Sequence, residues 1–349
     1  MMIRLRSWAV ALGLGGVGGS LFAALDLPLP WMLGALTAVT LASLGGLRPE
    51  IPASMRSVMI AVLGLMLGSA FSPDLLARIG RWSDSLLVLT LATLASGLLV
   101  TFYLRRTSKM SRVTAFFAAA PGGINEMVLT GGAMGGDERT IALSHSLRIL
   151  LIVFTVPFGY RLIAHVHSVP MAESMGRLAD LGGMDALVML GSAVAGAALA
   201  RLARLPAWML TGPMLSSAGL HLAGLTAFRP PAELVVLAQL VTGASIGCRF
   251  RGLSWSDMAG MARPAMGATA IMLVLSAGAA GLLAAGGHSS FGVLLLAFVP
   301  GGIAEMCLVA LALGQDVAFV STHHVVRVVM VIMLAPPIFK LLERRESRR

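Results

Sequence analysis

The chain has 349 residues, of which 57% are apolar and only 12% are charged. Soluble proteins average about 25% charged residues, so this composition excludes an ordinary soluble domain, and the high apolar content with two cysteines excludes a disordered chain and a disulfide-framed secreted protein. The net charge of +10 comes from short basic clusters between apolar runs, which is typical of cytoplasmic loops in a membrane protein rather than of a DNA-binding surface.

Apolar runs follow one another along the chain, and most approach the roughly 20 residues that a helix needs to cross the hydrocarbon core. A more polar stretch at 165–185 separates two sets of them. The sequence therefore predicts an all-α polytopic membrane protein with a first membrane repeat at 1–164, a polar linker at 165–185 and a second membrane repeat at 186–349. The runs lie at about 8–25, 31–47, 57–71, 86–104, 113–134, 141–164, 186–203, 207–225, 234–250, 264–285, 291–313 and 317–342.

The first apolar run resembles a signal peptide, because Arg4 and Arg6 precede it. It leads into Leu-Pro-Leu-Pro-Trp-Met-Leu at residues 27–33, and a matching run in the second half leads into Leu-Pro-Ala-Trp-Met-Leu at residues 205–210. Because the first run has a counterpart inside the chain, we expect it to be retained as a membrane segment.

An internal repeat is the strongest pattern in the sequence. Pro-Gly-Gly-Ile-Asn-Glu-Met at residues 121–127 recurs as Pro-Gly-Gly-Ile-Ala-Glu-Met at residues 300–306, an offset of 179 residues. The same offset aligns His145 with His324. These matches predict a tandem duplication.

Two topologies are compatible with the duplication. If every run crosses the membrane, each half has six spans, the halves are parallel, and alternate loops place 16 Lys or Arg residues inside and 8 outside. If 113–134 and 291–313 instead dip in and return, each half has about five spans, the halves are inverted, and the distribution becomes 19 inside and 5 outside. The positive-inside rule favours the second topology, with about ten spans and both termini cytoplasmic, although a fully crossing broken helix stays open.

The two Pro-Gly-Gly segments predict interruptions of membrane helices. Proline lacks a backbone donor, glycine accepts unusual dihedral angles, and the freed backbone groups must be satisfied inside the protein or by water. Transporters use such breaks to aim backbone groups at a substrate, while the alternative is a simple kink or a close packing of helices. The residues concerned are Pro121, Gly122, Gly123, Pro300, Gly301 and Gly302.

Ionisable side chains accompany both breaks. A carboxylate lies five residues after each proline, and Arg148 and Arg327 are the expected counter-charges, since an isolated charge in hydrocarbon is costly. A histidine three residues before each arginine shares its helix face. We predict a substrate- or ion-binding cluster that binds an anion or relays a proton; the alternative is a pair of internal salt bridges. Asn125 is a candidate specificity residue, because its counterpart in the second repeat is Ala304. The other members of the predicted cluster are Glu126, His145, Glu305 and His324.

Spacing gives no sign of a catalytic centre. There is no Gly-rich phosphate loop, no cysteine pair at metal-binding spacing and no defensible catalytic triad. We therefore expect neither an enzyme nor a bound cofactor or metal.

The twin Pro-Gly-Gly-Ile-x-Glu-Met motifs, the Leu-Pro-x-Trp-Met-Leu entries and the His-x-x-Arg pairs resemble the duplicated AbrB-type bacterial inner-membrane family, over nearly the whole chain. That family is distinct from the small DNA-binding regulator of the same name. The resemblance implies a multi-pass protein of the bacterial inner membrane. Members carry the labels regulator of gene expression and ammonia monooxygenase, and their helix pattern is similar to that of antiporter and symporter folds.

Three functional hypotheses follow. The first is a secondary transporter or exchanger of a small, anionic solute, and the second is a membrane protein with an indirect role in regulation of gene expression. The third, an ammonia monooxygenase, conflicts with the missing cluster of metal ligands. The expected partners are the lipid bilayer and a small-molecule or ion substrate, with no direct nucleic-acid contact and with a homo-oligomer left open.

Overall fold

The computed structural model describes residues 2–73, 80–164 and 175–346, so positions 165–174 of the predicted linker lie outside the described residues. Within these ranges the chain forms helices and no strand, which confirms the predicted all-α class. The helices are α1 (Met2–Ala24), α2 (Pro30–Leu44), α3 (Ala53–Gly68), α4 (Ser83–Thr107), α5 (Arg112–Ala119), α6 (Ile124–Ala133), α7 (Glu138–Ala164), α8 (Gly183–Leu202), α9 (Trp208–Leu222), α10 (Ala232–Gly247), α11 (Trp255–Ala285), α12 (Phe291–Phe298), α13 (Ile303–Ala312) and α14 (Val317–Glu346).

Seven segments of the described chain are long and apolar enough to cross a membrane, which supports the membrane class predicted from composition. Three shorter apolar helices, α2, α3 and α13, accompany them. The seven segments are Leu5–Ala24, Ser83–Thr107, Glu138–Arg161, Gly183–Leu202, Ala232–Phe250, Trp255–Ala285 and Val317–Glu343.

Helix bounds recur along the chain at the spacing of the sequence motif. The starts of α6 and α13, Ile124 and Ile303, are 179 positions apart, and the pairs α5 and α12, α7 and α14, and α3 and α10 begin at the same separation. Unusual backbone geometry recurs as well. Leu29 before α2 and Ala207 before α9 are both left-handed, with φ of 46° and 49°, a conformation that costs about 1–2 kcal/mol for a residue with a side chain.

The chain divides into two compact units. The first comprises Met1–Gly80, Val156–Trp255 and Ala304–Ala318. Within it α1 packs on α2 through Gly18 and Gly34, where a Cβ on either residue would overlap the carbonyl oxygen of the other. The same arrangement joins α8 to α9 through Gly196 and Gly212. Glycine permits these close approaches because it has no side chain.

Helices from the two halves of the sequence also pack against one another within the first unit. Gly64 of α3 lies against the backbone of α9, and Gly243 of α10 lies against the backbone of α2. The hydroxyl of Ser217 on α9 donates to the carbonyl of Leu65 at 3.0 Å. The interior of this unit is therefore formed jointly by early and late parts of the chain.

The second unit comprises Arg81–Thr155, Ser256–Ile303 and Phe319–Arg349, and it contains the first break. Its core includes the aromatic side chains of Phe116 and Phe117 on α5, packed with Phe339 on α14. Serine side chains cap two short helices. Ser111 accepts from the amide of Thr114 at the start of α5, and Ser290 accepts from the amide of Val293 at the start of α12. Both capped helices end at a Pro-Gly-Gly break.

Candidate functional site

The first Pro-Gly-Gly segment interrupts the helix as predicted and reverses the chain. α5 ends at Ala119, and α6 begins at Ile124. Gly131 of α6 lies against the side chain of Phe117 on α5. Fourteen residues of unbroken helix would span about 21 Å, so α5 and α6 form an antiparallel hairpin with the break at its tip.

Glu126 lies in the first turn of α6 and folds back over the break. Its carboxylate occupies the space that a Cβ at Gly123 would need. A negative side chain in the first turn is stabilised by the unpaired amides and the positive end of the helix dipole. The side chain is half-buried, whereas the neighbouring Asn125 is exposed.

The second break follows the same pattern in the chain. α12 ends at Phe298, Val299 is extended, and α13 begins at Ile303. The amide of Gly301 donates to the carbonyl of Val299 at 2.9 Å. Glu305 lies in the first turn of α13 and is half-buried, while Pro300, like Pro121, is buried and the neighbouring Gly302 is half-buried.

His145 and Arg148 on α7 bind the backbone that leads into the first break. The side chain of His145 is 1% exposed, and its Nε2 lies 2.9 Å from the carbonyl oxygen of Phe117. Arg148 is 6% exposed; its Nη1 donates to the carbonyl of Ala118 at 3.4 Å, and its Nη2 lies 2.8 Å from His145 Nδ1.

His324 and Arg327 on α14 repeat this arrangement at the second break. His324 Nε2 lies 2.9 Å from the carbonyl oxygen of Leu296, and Nδ1 lies 2.9 Å from Arg327 Nη2. Arg327 also donates to the carbonyls of Val299 and Gly301, both at 2.9 Å. Each arginine thus places positive charge against carbonyls at the C-terminal end of a short helix, which the helix dipole favours.

The hydrogen bonds assign the tautomer of His145 and His324. A carbonyl oxygen only accepts, so Nε2 carries the proton, and a guanidinium only donates, so Nδ1 carries a lone pair. Both ring nitrogens are therefore used in each histidine. In this geometry the two rings orient the arginines.

The expected ion pair between Glu126 and Arg148 does not form among the described residues. Arg148 instead faces His145 and the carbonyl of Ala118. The spacing of these residues in the sequence does not determine the direction in which each side chain points. Glu126 instead folds back over Gly123, in the first turn of α6.

A water-sized cavity adjoins Arg148. It leaves about 10 Å³ for the centre of a water molecule, near the minimum for one bound water. Ser144, Arg148 and Thr269 line this cavity. The Nε of Arg148 and the hydroxyls of Ser144 and Thr269 are buried and have no hydrogen-bond partner within the described residues. Three such groups around one small space fit a water or a single small acceptor.

A larger cavity of about 170 Å³ lies beside Pro121, within the second unit. Thr93 contributes one hydroxyl, and the rest of the lining is apolar, with Gly97, Phe116, Val331 and Leu334 among its members. An apolar lining of this kind suits a hydrocarbon chain and does not suit a charged solute.

One charged cluster lies in the first unit and escaped the sequence analysis. Arg249, two residues after the end of α10, lies within electrostatic range of Arg56 on α3 and of Glu305 on α13. Arg249 Nη1 and Arg56 Nε are buried and have no hydrogen-bond partner among residues of the described ranges. No signal in the sequence could join Arg56 to Arg249, because only long-range packing brings them together.

No group of three His, Cys, Asp or Glu side chains is placed to hold a metal ion in the described ranges. The polar centres of both units are instead built around guanidinium groups.

Apolar helices interrupted by charged, buried breaks define a helical protein of the membrane class. The sequence profile of a family described as "Transition state regulatory protein AbrB" matches residues 31–343. The chain therefore belongs to the AbrB family.

Two relatives match along almost their whole length. The Bacillus subtilis (strain 168) protein named "Uncharacterized protein YhjN" is 27% identical, over 98% of this chain and 94% of its own. The Escherichia coli (strain K12) protein named "Putative regulator AbrB" is 25% identical, over 94% of both chains.

Proposed function

We propose that this protein is a secondary transporter or exchanger of a small anionic solute in the bacterial inner membrane. The observation that carries the proposal is the environment of Arg148: a guanidinium that is 6% exposed, that is held at a helix break, and that no carboxylate of the described residues neutralises by an ion pair. A buried charge of one sign attracts a mobile partner of the other.

The proposed topology has ten spans, formed by the seven long segments together with α2, α3 and α9, and the two halves are inverted repeats. Both termini are cytoplasmic. The α5–α6 hairpin supports a re-entrant first break, since Gly131 returns to the level of Phe117. Matched helix starts and matched left-handed residues support the duplication.

Binding of the solute at the break is proposed to use both charge and backbone. His145 uses both ring nitrogens to hold Arg148 and the α5 carbonyl in one geometry. The unpartnered Nε of Arg148 and the hydroxyl of Ser144 then supply donors that face the small cavity. The cavity has room for one atom, so we propose that one oxygen or halide of an anion replaces a water there. No covalent step is involved, and we propose no catalytic activity and no cofactor.

The cluster of Arg56, Arg249 and Glu305 adds a second cationic centre in the first unit. It holds two guanidinium groups and one carboxylate, and buried nitrogens of both arginines point at no acceptor in the described chain. Its excess of positive charge supports the choice of an anion over a cation as the solute.

Thermal unfolding of the purified protein in detergent, with chloride, sulfate, phosphate, acetate and succinate as separate additions, tests this proposal. An anion at 100 times its dissociation constant should stabilise the wild type by about 2.7 kcal/mol. Arg148→Gln should remove this stabilisation. Arg139→Gln is the matched control, since Arg139 lies on the same helix but is exposed and pairs with Asp257 at 4.0 Å.

Uptake of the stabilising anion into proteoliposomes completes the experiment. Equal stabilisation of the wild type and Arg148→Gln by every anion would remove the assignment of Arg148 to the site. If Arg148→Gln does not fold, Ser144→Ala keeps the guanidinium and removes one donor from the same cavity, and it should weaken binding about tenfold.

The second candidate function is an indirect role in regulation of gene expression, which the name of the Escherichia coli relative favours. Such a role requires a partner on a cytoplasmic loop such as 105–112. A soluble protein that co-purifies at one copy per chain, and that is lost when Arg105 and Arg106 are replaced by serine, would support it.

A further inference from the structure

His323 is buried in the second unit and takes no part in either arginine pair. Its side chain is 0% exposed. Its Nδ1 lies 2.8 Å from the carbonyl oxygen of Phe319, and its Nε2 lies 2.8 Å from Ser85 Oγ on α4. Ser85 Oγ in turn lies 2.8 Å from the carbonyl oxygen of Trp82.

These three contacts require three hydrogens between four groups. The two carbonyls only accept, and the serine hydroxyl supplies a single hydrogen. A neutral imidazole supplies one more, so one of the three contacts would set two lone pairs against each other. An imidazolium supplies two hydrogens, and then Nδ1 donates to Phe319, Nε2 donates to Ser85, and Ser85 donates to Trp82.

Aromatic rings around His323 also favour a positive charge. The ring of Phe319 stacks on the imidazole at a centroid distance of 3.9 Å. Trp82 and Phe298 lie at 6.1 and 6.2 Å. The faces of aromatic rings attract cations over distances of about 6 Å, most strongly where water is excluded.

The charged and titratable groups nearby balance this preference. On α14, His324 is neutral by its hydrogen bonds, and Arg327, one turn further on, opposes a second positive charge. Next to Ser85 on α4, Asp84 is exposed and pairs with His288 at 3.2 Å. α12, which supplies Phe298, carries no ionisable side chain. The hydrogen bonds and rings favour the proton, while Arg327 and burial favour its release.

We propose that His323 is a buried proton-binding site that loads and releases one proton. The step is the reversible transfer of a proton from hydronium to a ring nitrogen, and no other covalent bond changes. Proton binding at His323 does not depend on the proposed transport function. Only the role of that proton as the coupling ion rests on it. At the repeat offset of 179 residues the counterpart of His323 is Ser144, so only the second half of the chain has a histidine at this position.

Nitrogen NMR of the full-length protein, labelled with ¹⁵N-histidine and held in lipid nanodiscs, tests the proposal. The chain has seven histidines, and the signals absent from His323→Asn identify His323. We expect one bare ring nitrogen at about pH 9 and two protonated ring nitrogens at about pH 5. A bare nitrogen at both pH values, or two protonated nitrogens at both, would overturn the proposal.

Ser85→Ala should lower the proton affinity of His323 about tenfold, because the acceptor for Nε2–H is lost. Ser96→Ala is the matched control: this buried serine also lies on α4, but it donates to the carbonyl of Thr93. Equal titration of His323 in both variants would show that the Ser85 hydroxyl does not hold the proton.

The spectrum needs no transported solute, so its result is independent of the anion experiment. Titration of His323 without anion binding at Arg148 would support the proton site and contradict the proposed anion transport. Anion binding without titration would do the reverse.

Discussion

The backbone amide of Asp137 donates a hydrogen bond of 3.0 Å to the hydroxyl of Thr114, 23 residues earlier. Thr114 lies in the first turn of α5, and Asp137 directly precedes α7. The two ends of the α5–α6 hairpin are therefore held at one level, whereas a continuous helix through the break would separate them by about 35 Å.

This bond predicts the sidedness of two residues. Cysteines introduced at Arg112 and Arg139, in a background where Cys248 and Cys307 are alanine, should react with an impermeant maleimide from the same side of oriented membrane vesicles. Labelling from opposite sides would contradict the hairpin in the membrane and restore the crossing topology.

The glycine contact between α1 and α2 predicts a strong position dependence of Gly→Ala substitutions. Gly18→Ala should destabilise the protein by about 1–3 kcal/mol, because its Cβ would overlap the carbonyl of Gly34. Gly16→Ala on the same helix meets nothing within 4 Å and should be neutral or stabilising by up to about 1 kcal/mol. Denaturant unfolding in mixed micelles measures both, and equal effects would show that the two helices are not in close contact there.

In the absence of an anion, the cavity beside Arg148 is predicted to hold a bound water. Thr269→Val should destabilise the protein by about 1–2 kcal/mol if a water joins Thr269 to Arg148 and Ser144, since the variant leaves that water short of a partner. In a dry cavity the same substitution would be neutral or stabilising. The sign of the change in unfolding free energy decides between these cases, and ordered density at high resolution would locate the water.

The carboxylate of Glu126 above Gly123 predicts an energetic coupling between the two positions. Gly123→Ala should lower stability by about 0.3–1 kcal/mol, because φ of −63° suits alanine but the new Cβ displaces the carboxylate from the start of α6. The same substitution should have no such effect in Glu126→Gln, whose side chain is uncharged. An unchanged effect in that background would contradict the contact; Gly122→Ala, which meets Val331 and Met127 instead, is the control.

Asp137 predicts an acid-dependent contribution to stability. The hydroxyl of Thr140 and the backbone amide of Arg139 donate to its carboxylate and hold its pKa below the usual value. The stabilisation is therefore complete above the unfolded pKa of about 3.9 and is lost as the pH falls through the lower folded pKa. Asp137→Ala should cost about 1 kcal/mol at pH 7 through loss of the helix cap, and less at acid pH. A pH-independent difference in melting between wild type and variant would refute this.

Local chemistry explains what was predictable from the sequence. Composition indicated the helical membrane class. Proline followed by two glycines indicated where α5 and α12 end, because this effect acts within a few residues. The three-residue spacing of His145 and Arg148 likewise predicted that they share a face. These are short-range properties, and the structure agrees with them.

Contacts between distant segments were not predictable in this way. Arg148 was expected to face Glu126, but a carbonyl and an imidazole hold it instead. Arg56 and Arg249 come together through packing of α3 and α10, and His323 gains its partners from α4 and α12. The functional interpretation of each residue depends on which side chains and carbonyls contact it.

The joint packing of α2 and α3 with α9 and α10 has a consequence for biosynthesis. When the ribosome has completed only the first half of the chain, Gly64 and Gly68 of α3 have no helix to receive them, and the groove that will hold them has not been made. The glycine surfaces of these early helices therefore stay unpacked until more than half of the polypeptide has been inserted. Assembly of the first unit is thus a late, post-insertional event, and truncated products would be natural targets for membrane quality control.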